Sequence, residues 1–167
     1  MIIRPATAAD APDMVTLLNA IIEAGGTTAH QTLFDETTML EHYIESDGLI
    51  SCLVAEIEEV VLGFQWLRWA KPEQDGVPDD WAIIASFVAN RAAGKGVGQH
   101  LFKATRTAAS QAGVAAIDAT IRADNTPGLR YYSGLGFVDY DRLTGLALSD
   151  GTIVDRIRKR FDISVSS

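Results

Sequence analysis

Apolar and polar positions follow two different periods along this chain, and each change of period marks an element. Ile2 to Arg4 reads as a short strand. Thr7 with Asp10 forms a helix N-cap, and Met14, Leu17, Leu18, Ile21 and Ile22 then recur at helical spacing, so a first helix is expected to run to about Ala24 and stop at Gly25-Gly26. A polar stretch over 27–36 leads to a second helix, about Thr38 to Glu45, on which His42 is expected to be a surface residue. The period then becomes that of strands: Leu49 to Glu56, a turn at Glu58-Glu59, and Val60 to Trp69, with Trp66 and Trp69 either filling core or covering a pocket. Lys71 to Asp80 is rich in breakers and acids and reads as a loop.

Trp81 to Val88 is a nearly continuous apolar run, the pattern of a buried strand. A helix over Gln99 to Gln111 follows, with Leu101, Phe102, Thr105 and Ala109 on one stripe, and then a strand over Ala116 to Ile121. Asp124-Asn125-Thr126-Pro127 caps a last helix. Phe137 to Leu148 and Thr152 to Phe161 form two long strands joined through Ser149-Asp150-Gly151, and the tail after Ile163 is expected to fray. Arg156, Arg158 and Arg160 alternate on the last strand and suggest a solvated face or a subunit contact.

Between the strand ending at Val88 and the next helix lies Arg91-Ala92-Ala93-Gly94-Lys95-Gly96-Val97-Gly98. Such a turn can present several backbone N–H groups to one ligand, and the helix behind it adds the positive end of its dipole, so an anion such as phosphate is expected there. A P-loop needs Ser or Thr after Gly-Lys, and here Gly96 follows Lys95; a dinucleotide turn needs glycine where Gln99 stands. The remaining alternative is a turn that only lets the helix fold back on the sheet.

Arg91-x-x-Gly94-x-Gly96 resembles the Q/R-x-x-G-x-G/A pyrophosphate loop of the GNAT N-acetyltransferases, and Asn125, Tyr132, Gly136 and Phe137 fall in register with the segment that follows it in that family. The stretch from Asn19 to Ala29 is also similar to phosphinothricin-type small-amine acetyltransferases. The resemblance implies an α/β (α+β) acyl-CoA N-acyltransferase fold: a mixed, mostly antiparallel sheet of about six or seven strands with helices on both faces. It implies an acetyl-CoA-dependent N-acetyltransferase acting by direct attack in a ternary complex on a small-molecule or amino-acid-like primary amine. Alternatives are a protein N-terminal or lysine acetyltransferase, or a non-catalytic acyl-CoA-binding sensor.

The same resemblance places contacts to acetyl-CoA at Phe87, Val88, Ala89, Arg91, Ala93, Gly94, Lys95, Gly96, Val97, Gly98, Gln99 and Asn125, makes Tyr132 the acid that protonates the departing thiolate, and puts Thr27, Thr28 and His30 beside the acceptor. Tyr131 is expected to pack, and Ala93 stands where relatives often carry Arg. The general base is an open question, since the strand that carries a Glu in many relatives reads Ala82-Ile83-Ile84-Ala85-Ser86. Asp80, Asp79, His30 or water held by Ser86 are the candidates. His100 is read as a first-turn helix residue without a chemical role.

Composition narrows the rest. A chain of 167 residues, 47% hydrophobic, suits one domain over residues 1–167 with a full core. The charge of −8 argues against a nucleic-acid partner and is compatible with a cationic acceptor, which the acids of the Lys71 to Asp80 loop could attract. Apolar runs too short for a bilayer, an N-terminus unlike a signal peptide and the single Cys52, expected to be buried, suggest a cytoplasmic protein without metal or membrane contact; the resemblance leaves a homodimer open.

Overall fold

Two consecutive left-handed residues, Glu58 and Glu59 at φ 51° and 68°, fold β2 (Leu49–Ile57) back on β3 (Val60–Trp69) as an antiparallel hairpin. Positive φ at both positions matches the twist of the flanking strands, so a two-residue turn forms without glycine. In the computed structural model, which describes residues 1–163, this hairpin belongs to a seven-stranded sheet of order β1-β2-β3-β4-β5-β7-β6. The other strands are β1 (Ile2–Pro5), β4 (Trp81–Val88), β5 (Ala116–Arg122), β6 (Val138–Ala147) and β7 (Ile153–Asp162). Every neighbouring pair is antiparallel except β4 with β5, so the mixed, mostly antiparallel sheet implied by the resemblance is present. The tail expected to fray after Ile163 lies outside the described residues.

Helices cover both faces. On one, α1 (Ala11–Ala24) buries Met14, Leu18 and Ile22 against Val54 and Phe64. Beside it α2 (Glu36–Met39) continues into one π turn, Leu40–Ile44, closed by the Glu45 N–H on the Leu40 carbonyl at 2.7 Å. A third helix of a single turn, α3 (Pro72–Asp75), interrupts the loop expected over Lys71 to Asp80. On the opposite face α4 (Val97–Ala112) and α5 (Thr126–Leu135) set Phe102, Ala109 and Tyr132 on Leu67, Ile84, Ile117 and Ile121. Gly63 permits the close approach of α4, since a Cβ there would sit 2.8 Å from Val97 Cγ1.

The feature that shapes a site is the β4–β5 pair. The two strands are in register only from Trp81 with Ala116 to Ile83 with Asp118, and beyond that they part. β4 stays paired with β3 as far as Val88, so one edge of Ile84 to Val88 is left open. The Ala89 N–H bonds the Leu62 carbonyl at 2.9 Å, and antiparallel alternation then turns Phe87 and Ala85 towards β3 as well. Ser86 and Val88 therefore direct their backbone N–H and C=O groups into the gap.

One expectation about a surface position is corrected. Arg158 is buried, its guanidinium bonded to Asp118 (3.2 Å) and to the Asp75 carbonyl (2.7 Å), because this end of the sheet is covered by the chain around α3. His42, in the π turn, is exposed as expected, with its ring 4.4 Å from that of Tyr43 and 6.0 Å from Trp66 at the edge of the aromatic core. Cys52 is buried as expected, its thiol pushed up to about 12 by burial.

Candidate active site

A cavity of about 230 Å³ occupies the gap between β4 and β5 and passes through the sheet. Ser86, Tyr131 and Tyr132 line it from the α4–α5 side, and Thr28, His30 and Arg156 from the other. A larger cavity of about 670 Å³ shares the walls formed by Thr27, Thr28, Ser86, Phe87, Asn125 and Tyr131 with it, then runs along Val88 and Ala89 to the glycine turn.

Gly94 and Gly96 hold φ of 78° and 76°, which explains glycine at both. Gly96 caps α4, and the N–H groups of Val97, Gly98 and Gln99 in the first turn have no carbonyl within the helix to bond. Together with Ala93 and Gly94 these residues line the larger cavity, and nothing lies within 4 Å of a Cβ built on Gly94. This cradle of backbone N–H groups at a helix N-terminus fits a diphosphate. Arg91 and Lys95, expected to meet the cofactor, are exposed and do not line the larger cavity; Arg91 lines a neighbouring one against α1. His100 is tied back to the Gly96 carbonyl through Nδ1 at 2.7 Å, so it serves the turn's geometry.

At the junction of the cavities four side chains share one hydrogen-bond chain. Tyr131 donates its hydroxyl to the Gly98 carbonyl at 2.7 Å, so its oxygen must accept from whatever else it meets. That neighbour is Gln65, fully buried, whose Nε2 donates to Tyr131 (2.9 Å) and to Ser86 Oγ (2.8 Å). The carbonyl at Gly98 thus fixes which end of the Gln65 amide faces the site. Ser86 Oγ in turn lies 2.8 Å from the Tyr132 hydroxyl. Either hydroxyl can donate across this contact; the bond that Ser86 accepts from Gln65 favours Ser86 as the donor, which leaves the Tyr132 proton to the cavity. Burial raises both phenols, Tyr131 to about 12 and Tyr132 further, so both hold their protons at neutral pH. Gln65 Oε1 is buried without a partner.

Sequence reading missed Gln65 and assigned Tyr131 to packing alone. Gln65 carries no signal in a strand that is otherwise apolar, and the close contact at Gly98, where a Cβ would lie 2.5 Å from Tyr131 Cε1, joins helices far apart in sequence. Of the residues expected to meet acetyl-CoA, Phe87 and Ala89 line the larger cavity, but their amides face β3; Val88 presents its amide to the gap.

The acceptor-side wall is tethered to β5 and α5. Asn125 caps α5 by accepting the Gly128 N–H (3.0 Å) and donates Nδ2 to the Thr27 carbonyl (3.0 Å), while Arg122 Nη1 donates to the Thr28 carbonyl (3.2 Å). His30 Nε2 is 2.7 Å from the Tyr43 hydroxyl, and burial, then the charge of His42, push its pKa down to about 4. His30 is therefore a neutral imidazole at physiological pH. Asp80 and Asp79 are not brought to the site: both are exposed, and Asp80 precedes the paired end of β4, six residues or roughly 20 Å along the strand from Ser86. Nor do the loop acids face an acceptor, since Asp75 is held by Arg68 at 2.7 Å and by the Lys71 N–H. Among the described residues no Asp or Glu lines the smaller cavity, and none form a cluster able to hold a metal ion.

Residues 14–137 match the model of the Acetyltransferase (GNAT) family. A ribosomal-protein-alanine N-acetyltransferase from Brucella melitensis is 26% identical, with a TM-score of 0.84 over 97% of this chain and 99% of its own. A putative acetyltransferase from Salmonella typhimurium, solved with its cofactor acetyl-CoA, gives a TM-score of 0.83 at 22% identity over 97% and 93% of the two chains. A phosphinothricin acetyltransferase from Sinorhizobium meliloti, in complex with acetyl-CoA, gives 0.83 at 19% identity over 96% and 87%. No curated protein sequence matches this chain significantly.

Proposed function

The chain belongs to the GNAT acetyltransferase family, and on that premise we propose that it transfers an acetyl group from acetyl-CoA directly to the primary amine of a small, amino-acid-like acceptor. The observation that carries this reading is the hydroxyl chain where the two cavities meet: the larger cavity leads from a diphosphate cradle to Ser86 and Tyr131, and the smaller one, lined also by Tyr132, opens from there to the other face of the sheet. A donor and an acceptor entering from opposite faces would meet at that point, with no side chain between them placed as a covalent nucleophile.

Acetyl-CoA, when bound, supplies an activated acetyl thioester. The residues around it divide the remaining work. N–H groups of Val97, Gly98 and Gln99 hold the diphosphate at the α4 N-terminus. The open edge of β4 at Ser86 and Val88 pairs with the amide groups of the pantetheine arm as an added strand would, and an N–H from this edge polarises the reacting carbonyl. Tyr132, its proton oriented by Ser86 and Gln65, gives that proton to the leaving sulfur. Among the described residues no carboxylate is placed to deprotonate the acceptor, so the amine reacts from its free-base fraction.

Release of CoA thiol from acetyl-CoA across a panel of amino acids, polyamines, aminoglycosides, phosphinothricin-like compounds and N-terminal peptides tests the reading. Amine-dependent release is expected from small amino-acid-like acceptors, and Tyr132→Phe should lower kcat by about 10²-fold or more with acetyl-CoA binding retained. Silence across the panel from protein that binds acetyl-CoA in a calorimeter would refute it in favour of a non-catalytic acyl-CoA sensor.

A further inference from the structure

The three arginines that alternate along β7 are not equivalent. Arg158 is answered by Asp118 and Arg160 by Asp162, at 3.2 and 2.7 Å. Arg156, by contrast, forms no ion pair among the described residues, and its Nε is buried with no hydrogen-bond partner. It lines the smaller cavity together with the Ser86 and Tyr132 hydroxyls. The nearest cation in the sheet, Arg122, pairs with Arg156 in register across β5 and β7. Arg122 is already committed, through Nε and Nη2 to Asp124 and through Nη1 to the Thr28 carbonyl. Arg156 is thus an unanswered guanidinium on a wall without carboxylates.

Holding a guanidinium partly out of water without a counter-charge is costly, and the fork of N–H donors that Arg carries fits a carboxylate through two parallel bonds. We propose that Arg156 binds a carboxylate of the acceptor, which makes the acceptor an amino acid rather than a simple amine, a polyamine or an aminoglycoside. The inference rests on the acetyltransferase reading above and names its substrate class. An amino acid anchored at Arg156 on β7 would direct its amine towards Ser86 and Tyr132 across the gap, whereas a polycation would place its own charges against Arg156 and Arg122. The acidic charge of the whole chain does not bear on this choice, since the wall that touches the acceptor carries the opposite sign.

Two measurements separate this proposal from the one beneath it. In the first, the CoA-loaded protein is titrated calorimetrically with N-acetyl derivatives of small, polar and aromatic amino acids and with the corresponding N-acetyl amino amides. At least one acid should bind at least tenfold more tightly than its amide, Arg156→Gln should abolish that difference, and Arg156→Lys should restore part of it. Retained binding of acetyl-CoA by both variants shows that they are folded. In the second, kcat/KM is compared for each free amino acid and its amide, and the preference of the parent protein for the acid should fall at least tenfold in Arg156→Gln, through KM. Acids and amides that bind alike, acids that fail to bind at all, or a preference unchanged in Arg156→Gln would overturn the proposal. Acid-selective binding without turnover of any amine would uphold the anchor and refute the acetyltransferase reading; turnover indifferent to the carboxylate would do the reverse.

Discussion

Replacing Gln65 by Met separates stability from catalysis at the hydroxyl chain. The side chain is fully buried, and its amide donates to Ser86 at 2.8 Å and Tyr131 at 2.9 Å while Oε1 goes unpaired. Methionine fills nearly the same unbranched volume. Two hydrogen bonds worth about 1 kcal/mol each are lost, but the buried orphan oxygen, which costs about 1–3 kcal/mol, disappears with them. Neither hydroxyl loses an outlet for its proton, since Tyr131 still donates to the Gly98 carbonyl and Ser86 still faces Tyr132. The net change in stability is therefore expected within about 1 kcal/mol, or a melting temperature within about 4 °C of the parent protein. Catalysis should respond differently. The Gln65 donor occupies one lone pair of Ser86 Oγ and favours Ser86 as donor to Tyr132; without it Ser86 accepts from Tyr132 more readily, and drawing the Tyr132 proton out of that bond costs about 1–1.5 kcal/mol, or about tenfold in kcat. Thermal melting, calorimetry with acetyl-CoA and the CoA-thiol assay give the three readouts. A kcat equal to that of the parent, alongside a melting temperature lowered by about 10 °C or more, would show that Gln65 serves packing and does not orient Tyr132.

Two further substitutions probe the surroundings. Gly98→Ala would place a Cβ 2.5 Å from Tyr131 Cε1, and this overpacking should destabilise the protein by about 1–3 kcal/mol; Tyr131→Leu in the same chain should recover part of the loss, and strictly additive effects in the double-mutant cycle would show that the two do not meet. His30 is held neutral down to about pH 4 against an ordinary 6.5, so in that window the folded protein binds fewer protons than the unfolded chain. The contribution of His30 to stability is then full above about 6.5 and is lost as pH falls towards about 4; melting curves across this range should be flatter for His30→Gln than for the parent, and curves of equal steepness would mean that burial does not depress the imidazole.

Most elements were legible in the sequence because their signals are local. The apolar run at Trp81 to Val88 is β4 at the expected bounds, and the helix expected at Gln99 to Gln111 begins slightly earlier, at Val97, because Gly96 supplies its cap. The glycine turn was legible for the same reason, since positive φ at Gly94 and Gly96 is a demand the backbone makes on those positions alone. What escaped depends on pairing across the fold. Gln65, Ser86, Tyr131 and Gly98 converge from β3, β4, α5 and α4, and no spacing along the chain encodes that meeting. The alternation of Arg156, Arg158 and Arg160 was visible, but not which of them has a carboxylate opposite, because Asp118 reaches Arg158 only through the pairing of β5 with β7.

The charge of the cavity shows where composition misleads. A net −8 invites the expectation of a cationic acceptor, yet the acids that produce it are spent on the surface or answered by arginines such as Arg4, which binds Asp10 at 2.8 Å and Glu56 at 2.9 Å. Charges in solvent are screened over about 8 Å at physiological salt, so acids beyond that distance contribute little to the potential an acceptor meets once inside. What it meets is Arg156, Arg122, neutral His30 and a set of hydroxyls. Among the described residues a wall of that kind offers no negative charge to an ammonium ion, which agrees with a reaction that consumes the free amine. Selection of the acceptor then falls to its other end, where an unanswered guanidinium waits on β7.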